Sequence, residues 1–166
     1  FPAMGMIPID RGGGSAAERA LSAAARLLDQ GELFGIYPEG TRSHDGRLYR
    51  GKTGPVRVAM RAGVPIVPIG VTGTGDYIRW LTRPRFGRRP EIRVMVGEPF
   101  DITPWADRVG DRAAEREITD QLMLRIQELT GQEYLPDTYG ADMKKRFEHV
   151  RASGRNLLDQ PAGEQS

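Results

Sequence analysis

Cysteine is absent from the 166 residues, and histidine occurs only twice, at His44 and His149. The first absence excludes disulfides, thiolate metal sites and a cysteine nucleophile. The second leaves little imidazole for acid–base chemistry near neutral pH. No apolar run approaches the roughly 20 residues needed to cross a bilayer, and no signal-peptide pattern is present. Net charge is small, at a formal +2, so an anionic partner has to be argued from where charge gathers rather than from its total. Hydrophobic residues at 39% and charged residues at 28% are ordinary for a folded soluble chain. The length suits a single domain, expected over residues 1–150, with a flexible tail at 151–166. The chain opens at Phe1 without an initiator methionine, and native sequence is expected to precede it.

What is present reads as alternating strands and helices. Gly5 to Ile9 is a brief apolar run ending at Asp10-Arg11 and a triple glycine, which predicts a strand opening into a loop. Ser15 stands three residues before Glu18, the spacing of a capping box. Leu21, Ala24, Ala25 and Leu28 then share one helical face, so a helix is expected from about Ala16 to Gln30, stopped by Gly31. Leu33 to Tyr37 reads as a second strand, parallel to the first through a right-handed crossover. Gly12-Gly13-Gly14 matches neither a dinucleotide nor a P-loop fingerprint.

Pro55 opens a short helix to Ala62, and Val64 to Val71 reads as a buried strand with Pro65 and Pro68 at its irregular points. Ile92 to Val96 predicts another strand. Asp111 caps a long helix to Thr130 whose stripe of Ile118, Leu122, Ile126 and Leu129 is a core face. A short helix is expected over Asp142 to Arg151.

Two stretches carry concentrated chemistry. Tyr37-Pro38-Glu39-Gly40-Thr41-Arg42-Ser43 places an acid, hydroxyls and a guanidinium at the carboxyl end of the second strand, where ligands bind in open α/β sheets. The plain alternative is a turn in which Glu39 and Arg42 only pair with each other. In the loop that follows, Arg47, Arg50 and Lys52 are available to face an anion. Between Tyr77 and Arg93, the arginines at 79, 83, 85, 88, 89 and 93 alternate with Trp80, Leu81 and Phe86. That pattern fits an anionic membrane surface, a phosphorylated carrier or nucleic acid, or else a solvated loop whose arginines pair with scattered acids. Nucleic acid is set aside because it leaves the Glu39 stretch unexplained.

Three segments resemble, in order and spacing, the second, third and fourth motifs of the glycerophospholipid acyltransferases. They are Gly5-Met6-Ile7-Pro8-Ile9-Asp10-Arg11, Tyr37 to Ser43, and Val64-Pro65-Ile66-Val67-Pro68-Ile69. The middle one is the most specific, with Tyr37 standing where the family has phenylalanine. The resemblance covers roughly Gly5 to Thr72 and is strongest to members that acylate lysophosphatidate. It implies an α/β fold, a mostly parallel sheet flanked by helices. It also implies transfer of a fatty acyl group from acyl-CoA or acyl-carrier protein to the acceptor hydroxyl, giving phosphatidate, with no metal and no redox cofactor. Acceptor binding carries over to Arg11, Glu39, Gly40, Thr41 and Arg42, and further substrate contacts to Asp10, Ser43, Lys52 and Pro65. Burial alone accounts for Pro65 equally well.

The implied setting is the cytoplasmic face of the cell membrane, against an anionic surface and with no transmembrane segment in this chain. The family's first motif, a histidine followed by an aspartate after four intervening residues, supplies the general base. At that spacing His44 meets Tyr49 and His149 meets Gly154, so neither fits. Either that motif lies upstream of Phe1, which is the expectation, or the chain is a non-catalytic lipid-phosphate or membrane-surface module.

Overall fold

The computed structural model describes residues 14–43, 45–82 and 89–153. The strand expected at 5–9, Asp10, Arg11, His44, the arginines at 83, 85 and 88, Phe86 and the tail from 154 lie outside the described residues. So does the side chain of Ser15, one half of the expected capping box.

Helix α1 spans Gly14–Asp29 and α2 spans Gly54–Ala62. α2 begins as Pro55 allows, in the first turn where its missing N–H costs nothing, and ends at Gly63 in the left-handed conformation (φ 62°). The two helices pack together with Glu18 between them, its carboxylate accepting from Arg57 at 2.9 Å and from Arg61 at 2.5 Å. The carboxylate therefore ties α1 to α2, a use that the capping-box spacing does not reveal.

The longest element follows from its cap. Asp111 accepts from the amides of Ala113 at 2.8 Å and Ala114 at 3.4 Å, opening the helix Arg112–Thr130, and Gly131 closes it with φ 65°. Its buried Ala114, Ile118, Leu122, Met123 and Ile126 meet Val56, Ala59 and Met60 of α2, together with Phe100 and Ile102. Each large apolar side chain buried there stabilises by about 1.5–3 kcal/mol, which makes this cluster the anchor of the described fold.

In chain order the strands are β1 (Leu48–Tyr49), β2 (Ile69–Thr72), β3 (Arg93–Val96) and β4 (Tyr134–Leu135). The remaining helices are α3 (Thr74–Thr82), α4 (the long helix just described) and α5 (Gly140–Ser153), with a 3-10 turn at Thr103–Arg108. β1 pairs parallel with β4, and β2 pairs antiparallel with β3. The architecture is α/β with a small parallel sheet, as expected.

Several details differ from the sequence reading. The run 64–71 is a regular strand only from Ile69, because Pro65 and Pro68 have no N–H to give; before that, Ile66 forms a lone bridge with Phe100. Nor is it buried on both faces. Gly70 lies so close to α4 that a Cβ there would stand 2.6 Å from Thr130 Cγ2, whereas Ile69 and Val71, with Val96 and Val94 opposite them, are exposed.

The run 33–37 joins no ladder among the described residues. Its burial nevertheless alternates as in an extended chain, with Phe34 and Ile36 half-buried between Leu33 at 98% and Tyr37 at 81% exposure. The loop expected at 44–54 contains β1, whose Leu48 and Tyr49 are both buried, and the arginine-rich stretch opens with a helix, α3.

Candidate functional site

The extended segment ends in a turn closed by the Gly40 amide donating to the Tyr37 carbonyl at 3.1 Å. Gly40 takes φ 66°, a left-handed conformation that L side chains rarely adopt. The Lys52 amide donates to the Pro38 carbonyl at 2.8 Å, so the turn and the far end of the following loop are stitched together. The Lys52 side chain lies over Gly40: a Cβ there would be 3.2 Å from Lys52 Cε and 3.3 Å from its Nζ. Gly40 thus leaves room for an ammonium beside the turn, and Lys52 itself is exposed to solvent.

Glu39 does not form an ion pair with Arg42 among the described residues. Its Oε2 accepts the Tyr49 amide hydrogen at 2.9 Å. That contact removes the reading of the turn as a mere Glu39–Arg42 pair; Arg42 itself is exposed. Desolvation pushes the Glu39 carboxyl above the usual carboxylate range; the Tyr49 amide pulls it down less strongly, and the negative charge of Asp45 adds to the rise.

Tyr49 fastens the loop a second time. Its hydroxyl donates to Asp45 Oδ2 at 2.6 Å, and Asp45 also accepts from Arg47 Nε at 2.8 Å and from the Arg47 amide at 3.1 Å. Ser43 donates to Asp45 at 3.3 Å and accepts the Gly46 amide hydrogen at 3.0 Å. Burial raises the Asp45 carboxyl, but the bonds from Tyr49 and Arg47 together outweigh it and hold the group below its ordinary range. The Tyr49 phenol is driven up by burial and by the Asp45 carboxylate. Ser43 therefore acts within the loop, and Asp45 and Tyr49, which sequence reasoning missed as site residues, brace it. The one available signal was Leu48-Tyr49, an apolar pair inside an otherwise polar stretch.

Thr41 is held from the other side by α5, since a Cβ on Gly140 would stand 2.7 Å from Thr41 Cγ2 and 3.6 Å from Tyr49 Cβ. Arg50 lies nearby, its guanidinium 5.4 Å from the centroid of the Tyr139 ring and its amide bonded to the Thr138 carbonyl at 2.9 Å. The structure thus brings Glu39, Gly40, Thr41, Arg42, Ser43 and Lys52 into one compact turn. Pro65 is placed elsewhere, in the bend after α2, on the wall of a cavity of about 640 Å³ that is also lined by Met60, Val64, Ile102 and Trp105. Asp10 and Arg11 lie outside the described residues. His149 is exposed on α5. Among the described residues, no group of His, Asp and Glu is arranged to hold a metal ion.

Residues 1–72 match the acyltransferase family model. More particularly, the chain is similar to 1-acyl-sn-glycerol-3-phosphate acyltransferases. The protein of that name from Limnanthes douglasii is 38% identical over 108 residues, covering 63% of this chain and 37% of its own. The alpha form from Ovis aries is 35% identical over 112 residues, covering 63% of this chain and 39% of its own. A solved structure, the 1-acyl-sn-glycerophosphate (LPA) acyltransferase PlsC from Thermotoga maritima, is 26% identical with a TM-score of 0.48, covering 67% of this chain and 43% of that one. The chain spans less than half the length of the curated relatives it matches.

Proposed function

We propose that the protein transfers a fatty acyl group from acyl-CoA or acyl-carrier protein to the free hydroxyl of lysophosphatidate, forming phosphatidate. The acceptor oxygen attacks the thioester carbonyl, the carbon–sulfur bond breaks, and the proton lost by the hydroxyl ends on the departing thiol. Exchange of a thioester for an ester is neither oxidation nor reduction, and the reading asks for no redox cofactor and no metal. It places the enzyme at the cytoplasmic face of the cell membrane, where a lipid acceptor resides.

The observation that carries this reading is the turn at 38–43. With Glu39 engaged by the Tyr49 amide, Arg42 is free of it, and Lys52 stands across Gly40 from the same turn. A planar guanidinium and an ammonium at one turn suit a phosphate dianion, the group that distinguishes lysophosphatidate from a neutral monoacylglycerol. In this assignment Arg11 and Arg42 clamp the phosphate, Gly40 and Thr41 line its seat, Asp10 and Ser43 border it, and Pro65 belongs to the acyl side. The names of the relatives, each a 1-acyl-sn-glycerol-3-phosphate acyltransferase, support the choice of acceptor.

The test is release of free thiol from acyl-CoA by protein expressed from the complete reading frame, with and without lysophosphatidate. The reading expects thiol release that depends on the acceptor and yields phosphatidate. If a folded protein carrying a His-x-x-x-x-Asp pair gives no release with any lysophospholipid or glycerol phosphate, the reading is wrong.

A further inference from the structure

Helix α3 is nine residues long and buries none of them, although its sequence holds Tyr77, Ile78, Trp80 and Leu81. A short helix that leaves Ile78 and Leu81 exposed and Tyr77 and Trp80 only half-buried is unusual for a soluble chain and marks a contact face. Ile78 and Leu81, at i and i+3, are 51% and 63% exposed, so both present apolar surface from adjacent turns. Beside them Tyr77 and Trp80 stand with ring centroids 6.0 Å apart, and Arg89 covers both rings at 5.4 and 5.5 Å while donating to the Tyr77 hydroxyl at 2.9 Å. Aromatic rings with one polar tip and one apolar body are suited to the boundary between water and hydrocarbon.

Charge decides among occupants. Residues 74–93 hold six arginines against only Asp76 and Glu91, and those two acids are already taken by Arg79 and Arg93. A second copy of the chain would bring a segment with the same excess of positive charge and be repelled. A surface that is apolar at Ile78 and Leu81 and carries Arg89 over the rings of Tyr77 and Trp80, in a segment whose sequence is net positive, fits a bilayer containing anionic lipid.

We infer that α3 is the element by which this protein docks on an anionic membrane, with Ile78 and Leu81 inserted among the acyl chains and Trp80, Tyr77 and Arg89 at the headgroup level. The inference deepens the proposed function, since it names the element that would bring the enzyme to the surface where its lipid acceptor resides, and it rests on that reading for its purpose but not for its test.

Because the chain has no cysteine, Leu81→Cys offers a unique thiol for an environment-sensitive fluorophore, and Leu124→Cys, at an exposed apolar position on α4, serves as the control. The labels are read with vesicles of phosphatidylcholine alone and of phosphatidylcholine mixed with phosphatidylglycerol. The expected result is a blue shift at position 81 and not at 124, only with the anionic vesicles, and weakened by added salt. In unlabelled protein, Ile78→Glu should lower vesicle affinity about tenfold or more and Arg89→Gln about fivefold, with thermal unfolding unchanged. Equal shifts at both positions, a shift on neutral vesicles that ignores salt, or a shift that grows with protein concentration without lipid would overturn the inference, the last by showing a second copy as the occupant. A loss of acyl transfer with vesicle binding intact would instead count against the proposed function alone.

Discussion

The Tyr49 amide donates to Glu39 Oε2 at 2.9 Å across ten residues of chain, and the hydroxyl of the same tyrosine donates to Asp45 at 2.6 Å. One buried residue thus ties down both ends of the loop that presents Arg42. The acid of the Glu-Gly-Thr-Arg stretch shapes the turn, and in the proposed function the cations Arg42 and Lys52 are the groups that meet the acceptor's phosphate.

Replacing Glu39 separates shape from charge. Glu39→Ala leaves the Tyr49 amide without its acceptor and should cost about 1–3 kcal/mol of stability. Glu39→Gln keeps an oxygen in place and removes a desolvated charge, so stability should hold. Thermal melts read the difference, and an equal loss for both variants would show that the charge itself sustains the turn.

The two carboxyls of this loop respond oppositely to pH. Glu39 is raised, so as pH climbs from its ordinary value of 4.5 through the raised one, the folded state loses stability relative to the unfolded chain. Asp45 is lowered, so its contribution is fully present above its ordinary value of 3.8 and disappears as pH falls through the lower folded value. Melting temperatures taken across this range should therefore show Glu39→Gln gaining on the wild type as pH rises from 4 to 7. Asp45→Asn should be destabilising at pH 7, with the deficit shrinking in acid.

Gly140 holds Thr41 from behind, and no sequence pattern identifies it. A Cβ there would stand 2.7 Å from Thr41 Cγ2, so Gly140→Ala should displace the turn while leaving the α4 core intact. The expected outcome is a KM for lysophosphatidate raised several-fold with the KM for acyl-CoA unchanged. Matching changes in both would mean a general loss of structure.

Gly73 joins β2 to α3 with φ 82°, and a Cβ there would stand 2.0 Å from the Glu91 carbonyl oxygen. Gly73→Ala should cost roughly 2 kcal/mol or more, from backbone strain together with the clash. Chemical denaturation measures this directly; a neutral result would mean that the β2–β3 pair moves aside freely.

What the sequence made legible follows from how local each signal is. The cap at Asp111, the proline that opens α2 and the glycines that end α2 and α4 act within one helical turn, and the structure realises each of them. The turn at 38–43 was equally visible, because Pro38 ends the extended run and Gly40, two positions on, permits the left-handed turn. The pairing of Leu48–Tyr49 with Tyr134–Leu135 was not, since two residues carry no periodicity and their partner lies 86 positions away. The Tyr49 brace on Glu39 was hidden for the same reason: a backbone amide has no identity in a sequence. Helix α3 was not legible because it is short, its apolar side chains follow no buried stripe, and the arginines that dominate its surroundings in sequence lie mostly beyond its end.

The account turns on Arg42 as a ligand for the acceptor's phosphate, and steady-state kinetics of Arg42→Ala in the complete protein tests it most directly. Arg42 is exposed, so the variant should fold as the wild type does. The predicted result is a KM for lysophosphatidate raised about tenfold or more, from loss of a charge-assisted hydrogen bond, with the KM for acyl-CoA unchanged. Unchanged use of lysophosphatidate, or equal losses for acceptor and donor, would contradict it.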